Sequence, residues 1–224
     1  MKKYILTIVL TYFSMGLLFS QDKMVIEKPF NGNTDYAGYS VHLNSVSGLP
    51  DIILSNVQGH LNKLLGSMAL NTHFSHGQVI DVKNYFKNDP IVHTRGWILP
   101  KYDLNFILQD HSIGIKAYYI QLRLDEYGQL LSVNWPRTGY SDKSKFESRH
   151  EIERIALMHA DLRGFSLADY IVDLKYNQKH VKLCWVFKFP KKSESNNKAF
   201  NTIELDWKET DVVDEYTTVI STLH

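Results

Sequence analysis

Between positions 181 and 189 apolar side chains alternate with a second set. Val181, Leu183, Trp185, Phe187 and Phe189 stand on one side, and Lys182, Cys184, Val186 and Lys188 on the other. A period of two predicts a strand with one face on a core and one that tolerates water. The same rhythm recurs at Tyr118, Ile120, Leu122 and Leu124, and at Leu131, Val133 and Trp135. It recurs again at Val172, Leu174 and Tyr176, and at Ile203, Leu205 and Trp207. Shorter strands are predicted at 39–43, 79–82, 91–99 and 104–108. Residues 125–128 supply a tight turn, with Gly128 able to take positive φ.

Two stretches carry a helical period instead. Pro50 opens the first, where its missing N–H is harmless. Ile53, Val57, Leu61, Leu64 and Met68 then make one apolar stripe, and Gly66 or Asn71 ends it. Ser148 and Glu151 form a capping-box pattern before the second. Ile152, Ile155, Ala156, His159 and Leu162 share its predicted inner face, and Gly164 suits a left-handed stop. Each helix precedes a run of strands, and the two last hairpins look alike. Residues 120–130 align with residues 203–213, which suggests duplication. The pattern thus predicts an α+β protein of two helix-on-antiparallel-sheet units, 46–136 and 146–224. Polar residues 137–145 form an exposed linker between them.

The first 45 residues belong to neither unit. Lys2 and Lys3 precede an apolar stretch at 4–19, followed by Ser20 and a polar turn. This is the layout of a secretory signal peptide spanning 1–20, with an N-terminal arm at 21–45. No second run of that length follows, so no stable membrane span is expected after cleavage. Removal of 1–20 takes two of the 25 basic residues and no acid. The remaining 23 basic and 24 acidic side chains give a net charge near −1. Such a balance offers no electrostatic reason to expect nucleic acid as a partner. Cys184 is the single cysteine, so no internal disulfide forms, and on its strand it reads as a small buried residue.

The last hairpins carry a family resemblance. The segment 148–216, and to a lesser extent 50–135, resembles a PepSY-type module. That pattern has a helix, two strands and a final hairpin of apolar–x–apolar–Asp, a turn glycine, then an apolar residue. Ile120, Leu124, Asp125, Gly128 and Leu130 fit the hairpin. Ile203, Trp207, Val212 and Val213 fit in part, because Asp211 stands where the family usually has glycine. The resemblance implies a PepSY-like, cystatin-like fold in a secreted or envelope-associated, non-catalytic binding module. Relatives occur in protease propeptides, as inhibitors or chaperones, and in envelope proteins. The expected partner is a protein or peptide, and the family has no catalytic residues to carry over.

Candidate chemistry is sparse. His73 and His76 are the close histidine pair, placed by the pattern in a loop. With His93 and His111 nearby they would suit zinc or copper, a second reading as a small metal- or ligand-binding protein. Zinc needs three or four ligands in geometry, and two histidines alone fall short, so no metal or cofactor is assigned. His159 reads as a core-edge residue bonded to a strand carbonyl, and Glu151 near His150 as a cap. No Gly-x-Ser-x-Gly, Ser-x-x-Lys or His-Glu-x-x-His motif stands in a supporting context, and no catalytic residue is assigned.

Overall fold

The computed structural model describes residues 36, 38–88, 98–192 and 198–220. The expected signal peptide, most of the arm, and residues 91–97 of one predicted strand lie outside these. Two antiparallel sheets form. The first runs in chain order β1 (Ser40–Leu43), β2 (Thr72–Ile80), β3 (Tyr102–Asp110), β4 (Ile115–Leu124) and β5 (Leu130–Val133). The second contains β6 (Ile171–Asn177), β7 (Lys182–Lys191), β8 (Lys198–Asp206) and β9 (Val212–Ile220), again in order. Helices α1 (Asp51–Leu65), α2 (Val82–Asn88) and α3 (Arg149–Leu162) complete the fold. The fold class is α+β, as the periodicities predict.

Alternation decides which face of each sheet is covered. In the first sheet Leu104 faces Leu122, Phe106 faces Ile120 and Leu108 faces Tyr118, and all are buried in the core. On α1 the stripe of Ile53, Val57, Leu61 and Leu64 is buried, and Met68 follows in a 3-10 turn. Each such side chain contributes roughly 1.5–3 kcal/mol on leaving water. Polar contacts tie α1 to the β4–β5 hairpin and to the segment just after it. Asn56 Nδ2 donates to the Tyr127 carbonyl at 3.0 Å, and Trp135 Nε1 donates to the Leu64 carbonyl at 3.2 Å. The second is a helix-end oxygen that lacks an intrahelical partner.

The second sheet buries Val172, Leu174, Leu183, Trp185, Phe187, Ile203 and Leu205. Helix α3 covers β7 and β8, starting at Ser148, whose Oγ accepts from the Glu151 N–H at 3.2 Å. Only half of the expected capping box forms, because the Glu151 carboxylate turns to Arg154 at 2.6 Å. The inner face is also rotated from the expected one. Ile152, Ala156 and Ala160 are buried, whereas Leu162 is 76% exposed. Small alanines let the helix approach the sheet, and that approach leaves the larger Leu162 outside. Val181 departs as well. It sits outside β7 with φ +57 and 55% exposed, so the inner row of β7 begins at Leu183.

The two last hairpins share a geometry that differs from the sequence alignment. Asp125 Oδ1 accepts from the N–H groups of Tyr127 and Gln129 at 2.9 and 2.8 Å. Asp206 Oδ1 accepts from the Lys208 N–H at 2.8 Å. Leu124 pairs with Leu130 and Leu205 with Val212, and each sits beside a bulge at its preceding residue. Asp125 therefore corresponds to Asp206, two positions from the alignment of 120–130 with 203–213. A shift of two preserves every face of a strand, so alternation alone cannot detect it. The bulge also brings Leu130 and Val133 onto the core side, in place of the expected Leu131 and Val133.

Residues 137–145 are mostly exposed, as their polarity predicts, but they are tied to both sheets at two points. Tyr140 is buried, and its hydroxyl lies 3.3 Å from Asp206 Oδ1. Lys143 Nζ pairs with Asp110 Oδ2 at 3.1 Å. Phe146 stacks on Trp207 with ring centres 4.3 Å apart, and the Trp207 indole donates to the Glu147 carbonyl at 3.1 Å. At Gly66, a Cβ would lie 2.1 Å from the Ser141 carbonyl oxygen, so only glycine admits this strap. One continuous apolar core runs from Leu49 to Trp207 through both sheets.

Candidate functional site

The cleft with the composition of a recognition site lies between α2 and the tip of the β4–β5 hairpin. Its volume is about 650 Å³, within the range of small-molecule and peptide pockets. Asp81 follows β2 and caps α2 by accepting from the Asn84 N–H at 3.1 Å. That start aims Val82, Lys83 and Phe86 into one wall. Ile98, Leu99 and Lys101 make the floor, and Asp125, Glu126 and Tyr127 the facing wall. Ile98 and Tyr127 are 76% and 68% exposed. The neighbouring Glu126 carboxylate raises the Tyr127 phenol pKa. Apolar and aromatic groups ringed by both signs of charge are the usual make-up of a protein-recognition patch.

The outer face of the second sheet carries a different arrangement. Glu204 is 1% exposed. Its Oε1 accepts from Lys175 Nζ at 3.1 Å and Tyr216 OH at 2.6 Å, and its Oε2 accepts from Asn177 Nδ2 at 2.7 Å. Asp206, equally buried, pairs with Lys182 Nζ at 2.6 Å. Lys188 pairs with Asp173 alongside. The lysine stems and the Tyr216 ring lie over the carboxylates, which accounts for buried charge on a face without a helix. Cys184 stands opposite both Lys175 and Asp206 in the register. Burial, with the two carboxylates adding to it, pushes its thiol up to about 12. A thiol so placed stays protonated near neutral pH and is a poor nucleophile. Burial first, and then Glu204, push the Tyr216 phenol upward too, while Asp206 and Glu209 raise Lys182. Cys184, Tyr216 and Lys182 therefore keep their ordinary charge at neutral pH.

The histidines fall elsewhere. His73 and His76 lie in β2, not in a loop. The bulge between Phe74 and His76 sets them opposite Ile107 and Asn105, on the outer face of the first sheet. Both are exposed, and Ser75 Oγ lies 3.0 Å from His76 Nδ1. His111 sits in the turn after β3, and His93 is outside the described residues. Among the described residues, no three His, Cys, Asp or Glu side chains are grouped to hold a metal ion. His159 is half-buried beside Arg163, whose Nη1 lies 3.2 Å from its Nδ1, and takes no strand carbonyl.

The cleft was not foreseen from sequence, because its three walls come from segments around 81–86, 98–101 and 125–127. The one legible signal was the Asp125–Gly128 turn, which builds a single wall. Comparison with known protein families, with curated proteins and with solved structures finds no match for this chain.

Proposed function

We propose that this chain is a non-catalytic binding module, exported to the cell envelope or beyond, that engages a protein or peptide through the cleft. The observation that carries the reading is the pairing of exposed Ile98 and Tyr127 with Phe86 inside a rim of mixed charge. Exposed aromatic and aliphatic groups in a concave site act as anchors for a partner's side chains. A PepSY-like module, acting on a protease or another envelope protein, suits a helix laid across each antiparallel sheet. Export rests on the basic, then apolar, then polar order of residues 1–23.

A screen of displayed peptides against the purified protein tests the site. Binders should lose at least about tenfold in affinity, roughly 1.4 kcal/mol, in Tyr127→Asp and in Ile98→Asp, with unchanged melting. Equal affinity for both variants and the original chain would remove the cleft from the proposal. Mass spectrometry of protein from its own host should find a chain beginning near Gln21. A chain that retains Met1 would remove the cleavage.

A further inference from the structure

The four sheet edges are not treated alike. Strands β1 and β5 are four residues each, too short to template much pairing. Arg137 also covers β5, donating to the Leu131 carbonyl at 2.8 Å. Strand β6 carries Asp173 and Lys175 among its seven residues. Strand β9 has nine residues, and among the described residues only β8 pairs with it. From Tyr216 to Ile220 it holds no charge, no proline and no glycine, and its residues are all strand formers. Tyr216 and Val219 are 37% and 58% exposed. Among the described residues no lysine or proline guards this edge, although natural proteins usually guard such an edge.

The charges narrow the occupant. Asp214 and Glu215 are the acids of β9. Glu215 already pairs with Arg163 at 2.6 Å, and Asp214 Oδ1 accepts from the Glu215 N–H at 2.9 Å. They leave no free acidic row to select a basic peptide, and the uncharged half of the strand is complementary to itself. We infer that β9 pairs antiparallel with β9 of a second copy of this chain, about a two-fold axis at Thr217. In that register Thr217 faces Thr217 of the other copy, Tyr216 faces Thr218, and Glu215 faces Val219. Thr–Thr and aromatic–β-branched pairs are favourable across strands. Registers centred nearer Asp214 would set acids directly opposite one another, which is unfavourable. The parity of the register keeps each face continuous, so the two α3 helices lie on one side of an eight-stranded sheet. The site uses no cleft residue and stands or falls separately from the proposed partner.

Light scattering coupled to gel filtration should give twice the chain mass, falling to a single chain on dilution. Val219→Lys places a charge at the edge and should leave a monomer with unchanged circular dichroism. A second variant tests the register independently of that substitution. Thr217→Cys should form a disulfide-linked dimer on air oxidation, since directly opposed residues sit at ~4.5–5.5 Å. Val213→Cys should not, because its counterpart would be ~27 Å away. Buried Cys184 does not compete. A single-chain mass at every concentration would overturn the inference, as would equal crosslinking at 213 and 217.

Discussion

His60 reaches from the middle of α1 to the hairpin tip, where its Nε2 lies 2.9 Å from the carbonyl oxygen of Gly128. One turn earlier Asn56 holds the neighbouring carbonyl of Tyr127. The tip that forms one wall of the cleft is thus bolted to the helix through its backbone. Backbone oxygens reach that close only if the residue between them is small.

Gly128→Ala should test this bolt. Gly128 has φ +79, and an added Cβ would lie 2.7 Å from Asn56 Nδ2 and 3.1 Å from Ile53 Cδ1. Reduced freedom of the unfolded chain would favour alanine by about 0.4–1 kcal/mol. The left-handed conformation and the displaced α1 side chains cost more, so a net loss of about 1–3 kcal/mol is expected. Urea titration of both proteins measures it. Coincident midpoints would mean that the tip does not press on α1.

Val181 should respond in the opposite direction. A β-branched residue at φ +57 carries roughly 1–2 kcal/mol of strain. Its side chain is 55% exposed, so little burial is lost on replacement. Asparagine accepts left-handed backbone more readily. Val181→Asn is expected to raise stability by about 0.5–1 kcal/mol, read as a higher urea midpoint. A lower midpoint would show that the turn does not hold this conformation in solution.

Asp110 should make the fold acid-sensitive. Burial alone would raise its pKa, but hydrogen bonds from Ser112, Lys143 and Asn71 outweigh that and hold it below 3.8. The unfolded chain then binds the proton more readily than the folded one. The stability this group contributes is present above about pH 4 and lost as the pH falls through the lower folded value. Asp110→Asn is expected to cost about 1–2 kcal/mol at pH 7, reduced by the partial exposure of Lys143. The gap to the original protein should narrow from pH 4 to pH 2. A gap that stays constant over that range would assign the loss to shape instead of charge.

Much of the secondary structure was legible because period is a local property. Leu183, Trp185, Phe187 and Phe189 fall on one side of any strand they form, and Ile53, Val57, Leu61 and Leu64 on one side of any helix. Gly128 and Gly164 take positive φ because a side chain would resist that backbone locally. The α+β class follows from these periods and their order. The expected alignment of 120–130 with 203–213 missed by two residues for the same reason, since a strand shifted by two looks unchanged to its own alternation.

The remaining features depend on residues far apart in sequence. Tyr140 is buried in a polar stretch because Asp206 arrives to meet it from more than sixty positions later, and Phe146 packs beside it. Leu162 lies outside and Ala160 inside because the sheet, not the helix, selects which side of α3 comes closest. Glu204 is buried on an outer face because Lys175, Asn177 and Tyr216 arrive from neighbouring strands to satisfy it. The cleft exists where three separate segments leave space between them. Side-chain pattern determines which surfaces must be covered, whereas the chain's return path determines what covers them.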